Sequence, residues 1–271
     1  MRRLLVTVLV LVLQALAVGC GDGGSGSAGR ETAPARAASS AASPSAPQAS
    51  SSAPSTTPSS ATTSTAAPPA TRQPAQRWVR GVDASHHQGA IDWTRVAGGG
   101  YRFAYLKASE GTSFTDPRFA SNRSAAIAAG LQVGGYHYFS LCTPGAAQAE
   151  HFVRVLGDLS GRDHLPPAID LEIAGSCADR PDRASLLGEV RTFLDLVERR
   201  TGRQPIVYLY PEFESAYDFA GDLSHHRQWV RALGDRPPTR AWWIWQRSAT
   251  ATVPGINGPA DVNVMRGGRR S

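Results

Sequence analysis

Two carboxylates spaced two residues apart, Asp170 and Glu172 in Ala-Ile-Asp-Leu-Glu, close a short apolar run of strand character. Side chains alternate along a strand, so both acids point to one face and Leu171 to the other. Burying like charges together is costly, and crowding raises one pKa, which keeps a carboxylic acid protonated near neutral pH. Three more acids sit at the ends of similar runs: Asp83 in Gly-Val-Asp-Ala-Ser, Glu110 after Leu-Lys-Ala-Ser, and Asp261 opening Asp-Val-Asn-Val-Met. Paired carboxylates in a groove rich in aromatic rings are what cleavage of a glycosidic bond requires. Tyr136, Tyr138, Tyr208, Trp243 and Trp245 all fall on expected strands, some as groove wall and some as core. Asp92, Asp116, Asp158, Asp182 and Asp195 read instead as helix caps and ion-pair partners of the many arginines.

Other chemistries lack their residues. There is no Gly-x-Ser-x-Gly elbow, no phosphate-binding loop and no dinucleotide fingerprint. Gly98-Gly99-Gly100 precedes a strand without the spacing of a phosphate cradle and reads as a turn. Neither Cys142 nor Cys177 has the neighbours of a thiol nucleophile. The adjacent pairs His86-His87 and His225-His226 lack metal-ligand spacing, so no metal site is expected and no organic cofactor is implied.

Seven runs have strand character: 80–85, 103–108, 132–139, 168–172, 206–210, 242–246 and 261–265, with 228–233 a weaker eighth. Helical stretches are expected at 117–129, 145–156 and 183–201. The last is the clearest, because Leu186, Leu187, Val190, Phe193, Leu194 and Val197 recur at helical spacing and Gly202 can cap its end. Strand–helix alternation predicts a parallel sheet. Eight strands, with helices dropping out late, predict a TIM-like α/β barrel abbreviated in its second half. In such a barrel chemistry gathers at the C-terminal ends of the strands, where the acids lie.

The rest of the chain is organised around that domain. All 21 aromatic residues lie at or after Trp78 in a chain of 271, so the globular part is expected at 77–271, enough for one sizeable domain. Arg2 and Arg3 precede a mostly apolar run over 4–18, which reads as an export signal spanning 1–20. It ends Ala17-Val18-Gly19-Cys20, similar to the bacterial lipobox, so Cys20 is the expected lipidation site. Residues 21–76 contain 48 Ser, Thr, Ala, Pro or Gly among 56 positions and read as a disordered tether. An exported, lipid-anchored surface protein is the implied localisation, with the membrane reached only through the anchor. Two exported cysteines usually pair, so Cys142 and Cys177 are expected to form a disulfide. The formal net charge of +6 includes 23 basic and 20 acidic residues after residue 76, a balance with no footprint for nucleic acid.

Taken in order, the motifs resemble glycoside hydrolase family 25, the bacterial and phage N-acetylmuramidases often called lysozymes. They are Gly81 to Trp93 (Gly-Val-Asp-Ala-Ser-His-His-Gln-Gly-Ala-Ile-Asp-Trp), Lys-Ala-Ser-Glu-Gly ending at Gly111, and Gly-Tyr-His-Tyr ending at Tyr138. Asp-Leu-Glu ending at Glu172, Trp245-Gln246 and Asp-Val-Asn ending at Asn263 complete the set. The resemblance implies a barrel of five strand–helix units followed by three strands, acting on peptidoglycan glycan strands at the β-1,4 bond from N-acetylmuramic acid to N-acetylglucosamine. It implies Glu172 as general acid/base, with Asp170, Asp83 and Asp261 as supporting carboxylates. Glu110, Tyr136, Tyr138, Tyr208, Trp245 and Gln246 would line the sugar groove. One departure is Arg247, where the family commonly has an aromatic residue. A monomer is expected. The alternatives are a non-catalytic glycan-binding lipoprotein and a chitinase-like glycosidase.

Overall fold

The computed structural model describes residues 78–175, 177 and 179–267. The expected signal at 1–20, Cys20 and the tether at 21–76 lie outside the described residues. Among the described residues nine strands form one sheet: β1 (Trp78–Ala84), β2 (Phe103–Glu110), β3 (Phe114–Thr115), β4 (Gln132–Tyr138), β5 (Ala168–Leu171), β6 (Ile206–Leu209), β7 (Gln228–Arg231), β8 (Ile244–Ala251) and β9 (Ala260–Arg266). The order β1-β9-β8-β7-β6-β5-β4-β2-β3 closes through a β1–β2 pairing, so eight strands make a barrel and β3 folds back on β2 as a hairpin. Five helices follow the first five barrel strands: α1 (Trp93–Gly98), α2 (Phe119–Ala128), α3 (Gly145–Leu156), α4 (Arg183–Thr201) and α5 (Pro211–Tyr217). The last three strands carry none among the described residues.

One part of the sheet departs from the parallel expectation. β9 runs antiparallel to both β1 and β8, while the other barrel neighbours are parallel. The link from β8 to β9 is only eight residues long, enough for a hairpin and too short for a crossover helix. The reversal has a functional result. It brings the first residues of β9 to the rim formed by the last residues of the parallel strands.

Alternation along the strands sorts side chains into two cores. Phe103, Tyr105, Ala168, Ile206, Tyr208, Trp229, Ile244 and Met265 point inward and fill the lower barrel. Their neighbours Ala104, Leu106, Ile169, Leu171, Val207 and Leu209 point outward and pack under the helices. Helix α4 supplies Leu186, Leu187, Val190, Phe193, Leu194 and Val197 to that layer; Asp182 caps its start by accepting from Ser185 N at 3.0 Å, and Gly202 ends it at φ 65°. The packed interior needs glycine opposite its rings. A Cβ at Gly134 would stand 2.2 Å from Tyr105 Cε1, so only the bare backbone of β4 leaves room for that ring. The aromatic plug closes the barrel below, and the cavity is confined to the upper rim.

Candidate active site

The upper ends of the strands enclose a cavity of about 310 Å³. Asp83, Tyr136, Tyr138, Asp170, Glu172, Tyr208, Gln246 and Asp261 line it, each from an inward position of its strand or the residue just beyond. The period of two that put Asp170 and Glu172 on one face therefore also aims them into the same space.

Asp83 sits at the centre of a donor relay. Asn263 Nδ2 donates to its Oδ2 at 2.7 Å and Gln246 Nε2 donates to the same oxygen at 3.3 Å. Trp229 Nε1 in turn donates to Asn263 Oδ1 at 2.9 Å, and Tyr208 OH to Gln246 Oε1 at 3.0 Å. Burial and the neighbouring Asp261 push the Asp83 carboxyl well up from its ordinary range, against the pull of the two amide donors.

Asp170 is raised too, first by burial and then by the charges of Glu172 and Asp83, with Lys107 opposing. Its Oδ1 is buried with no hydrogen-bond partner among the described residues. Glu172 is pushed up to about 7, chiefly by burial, with the Arg231 guanidinium holding it down and Glu212 raising it. Asp261 is raised by burial against the same Arg231. Burial also raises the hydroxyls of Tyr136, Tyr138 and Tyr208, so all three are hydrogen-bond donors at neutral pH. The site thus holds one carboxyl poised to give or take a proton near neutrality, with further acids and neutral donors around it.

Two of the expected groove residues lie elsewhere. Trp245 is fully buried on the outside of the barrel, because it falls between the inward positions Ile244 and Gln246. Its Nε1 donates to Ala232 O at 2.6 Å and its ring packs edge-on against Trp78 and Trp242. Glu110 is absent from the cavity wall but stands beside it, paired in register with Tyr138 and bound to Lys107 Nζ at 2.6 Å. Lys107 itself lines the cavity, 4.8 Å above the Tyr138 ring. Trp243 packs against the inner core from below. Arg247 lies along Trp245 at 5.2 Å and pairs with Asp235.

Beyond the expected site residues, Ser85, His87, Gln88, Tyr210, Trp229 and Arg231 also line the cavity. Tyr210 stands two residues after Tyr208, and Arg231 two after Trp229, so the alternation rule was signal enough for both. His87 comes from a single 3-10 turn, His86–Gln88, whose capping box closes Ser85 and Gln88 on each other. Its neighbour His86 is held by Asp116, Nδ1 to Oδ2 at 2.8 Å.

A second cavity of about 770 Å³ continues beyond Glu172 and Tyr210, walled by Arg180, Glu212, Ser215 and the start of α5. The loop on that side is anchored by the disulfide Cys142–Cys177, with Cα atoms 6.0 Å apart. The bridge joins the segments following β4 and β5, neighbours in the barrel.

The sequence model of the glycosyl hydrolases family 25 matches residues 82–256, from the strand of Asp83 to the turn before β9. The chain belongs to glycosyl hydrolase family 25. It is a glycoside hydrolase on a TIM-like barrel. Among its family relatives, an uncharacterized protein YegX of Escherichia coli O6:H1 is 37% identical over 73% of each chain. Lysozyme M1 of Streptomyces globisporus is 33% identical, covering 70% of this chain and 68% of its own. The crystal structure of a bacterial lysozyme from Streptomyces coelicolor superposes with a TM-score of 0.66 at 32% identity, over 70% of this chain and 93% of that one.

Proposed function

We propose that the protein is a muramidase that hydrolyses the β-1,4 bond from N-acetylmuramic acid to N-acetylglucosamine in peptidoglycan. The observation that carries this reading is Glu172, a carboxyl held near 7 and set beside Asp170 in a rim cavity with three tyrosine donors. Kinship with Lysozyme M1 and with the Streptomyces coelicolor lysozyme supports the choice of glycan.

In this mechanism Glu172 gives its proton to the leaving glycosidic oxygen as the bond to the anomeric carbon breaks. The nucleophile is the oxygen of the sugar's own 2-acetamido group, which closes on the anomeric carbon to form an oxazolinium ion. Asp170 orients that amide and balances its positive charge. Same-face positions on a strand stand ~6.5–7 Å apart at Cα, side by side, whereas a carboxylate nucleophile must oppose the acid across the bond. Glu172, now ionised, takes a proton from water, which attacks the anomeric carbon and reopens the ring with net retention.

The test is mass spectrometry of soluble products from purified protein acting on intact cell wall. Fragments with reducing-end N-acetylmuramic acid are expected. Reducing-end N-acetylglucosamine would overturn the bond assignment, and wall binding without release would favour the non-catalytic alternative. We further propose that the protein is exported and held at the cell surface through a lipid on Cys20, on the support of the apolar run at 4–18 and the Ala-Val-Gly-Cys sequence that ends it.

A further inference from the structure

Arg231 ends β7 at the mouth of the catalytic cavity and is half-buried there. Its guanidinium carbon lies 5.0 Å from the centroid of the Tyr210 ring, a stacking contact that fixes the plane of the group. Yet the guanidinium makes no hydrogen bond and no ion pair among the described residues. Arg183, by contrast, binds Asp222 and the carbonyls of Tyr217 and Asp218, and Arg203 binds those of Leu159 and His164. Arg227 and Arg266 stack on Trp243 and Trp242 with no polar partner among the described residues, but neither lines the cavity. Glu172 and Asp261 both feel the charge of Arg231 but stand outside ion-pair reach, and burial keeps both inclined to hold their protons. The groups facing Arg231 are therefore two reluctant acids and the phenols of Tyr208 and Tyr210. On the other side of Tyr210, in the second cavity, Arg180 is likewise without a hydrogen bond or ion pair among the described residues.

A planar cation with five free donors, pre-set by a ring at the edge of a groove, is built to take a carboxylate in two parallel hydrogen bonds. A neutral glycan can offer those donors hydroxyl and amide oxygens but no counter-charge and no bidentate match, so the cation stays uncompensated in a partly desolvated site. We propose that Arg231 is a specificity residue that binds a carboxylate carried by the glycan. This rests on the muramidase reading, because N-acetylmuramic acid bears a lactyl carboxyl, free or amide-linked to a peptide with carboxylates of its own. A polymer of N-acetylglucosamine bears none. The residue thereby separates muramic glycans from chitin-like ones, a choice that the acids of the cavity cannot make.

The experiment compares the full-length protein with Arg231→Gln and Arg231→Lys on three substrates. These are intact peptidoglycan, glycan strands stripped of peptide so that lactyl carboxylates are free, and the same strands with those carboxylates converted to neutral amides. Each variant is assayed at its own pH optimum, since loss of the cation also lets the Glu172 pKa rise. Arg231→Gln should raise KM roughly ten- to hundredfold on the free-carboxylate strands. The rise in KM on the neutral strands should be several-fold smaller, and Arg231→Lys should recover part of the difference between the two substrates. A KM defect confined to intact peptidoglycan supports the same contact with a peptide carboxylate as its source. Equal losses on charged and neutral strands would reduce Arg231 to a tuner of Glu172 and overturn the assignment, as would no loss on any substrate. Failure of the unmodified protein to cleave all three would overturn the muramidase reading and this contact with it.

Discussion

Asp83 and Asp261 are direct partners across the antiparallel β1–β9 ladder, one near the end of the first strand and the other near the start of the last. Burial, and after it that pairing, raise the proton affinity of Asp83, and the amide donors of Asn263 and Gln246 counter them. Asn263 is the stronger counterweight by distance, and it is itself fixed by Trp229. Asn263→Ala should leave both Asp83 and the indole N–H short of a buried partner. A loss of about 1–3 kcal/mol in urea unfolding is expected, with activity falling in parallel. A variant as stable and active as the original would remove the relay from the account of the site.

In the proposed mechanism Glu172 must be protonated to donate to the leaving oxygen, so kcat/KM on soluble glycan fragments should fall as pH rises through about 7. Neutralising Glu212, which raises Glu172, should move that limb to lower pH in Glu212→Gln. Stability follows the same sign. Glu172 binds its proton more tightly folded than unfolded, where 4.5 is its ordinary value. The stabilisation is full below that value and is lost as pH rises through about 7. Asp83, Asp170 and Asp261 are raised as well and act in the same direction. The melting temperature should be several degrees lower at pH 8 than at pH 5, and Glu172→Gln should flatten the difference. A profile with no alkaline limb between pH 6 and 8 would remove Glu172 as the acid.

Much of this site was legible in the sequence because strand alternation is a strict period. Once Asp170 and Glu172 are on one face, the backbone has no choice but to aim both inward. The same rule, applied to Tyr208 and to Trp229, leads to Tyr210 and Arg231. It also excludes Trp245, which is adjacent to Gln246 and cannot share its side of the sheet. The direction of β9 was harder to read, since a strand's residues are the same whichever way it runs; only the short link after β8 carries that information. Helix α5 hid behind Pro211, which opens a helix as readily as it breaks one. Plain alternation would set Glu110 and Lys107 on opposite faces of β2, but a bulge between Lys107 and Ser109 shifts the register, so Glu110 pairs with Tyr138 and binds Lys107 from the same side.

The Cys142–Cys177 bridge closes a loop of 35 residues across two neighbouring strands. By the chain-entropy account such a crosslink contributes about 3–4 kcal/mol through the unfolded state. Thiol labelling of the folded protein should find neither cysteine free, and the double serine variant should melt markedly lower. Because Cys177 lies five residues beyond Glu172, that variant should also show weakened substrate binding below its melting point. Unchanged KM would confine the bridge to a stabilising role.

If Cys20 carries a lipid, the full-length protein should partition into detergent and Cys20→Ala should move it to the aqueous phase. One acyl chain binds a membrane only marginally, whereas two or three hold stably, so the separation should be nearly complete. Identical partitioning of the two proteins would leave plain secretion.

The division of labour between Asp170 and Glu172 can be separated chemically. If Glu172 only moves protons, Glu172→Gln should lose about 10²–10⁴-fold on natural glycan. It should recover much of that on an aryl glycoside whose leaving group departs without a proton. If Asp170 serves an oxazolinium ion, which would form whatever the leaving group, Asp170→Asn should be impaired on both substrates alike. Its buried Oδ1, without a partner among the described residues, is the atom available to accept from the substrate amide. Substrates whose 2-acetamido group is replaced by hydroxyl should not be turned over, and the product anomer should match the substrate. A sugar ester trapped on Asp170 would reverse the assignment, making the aspartate the nucleophile and the acetamido group a bystander. Rescue of Asp170→Asn by the aryl glycoside would do the same damage from the other side, since it would place the aspartate in the proton-transfer step.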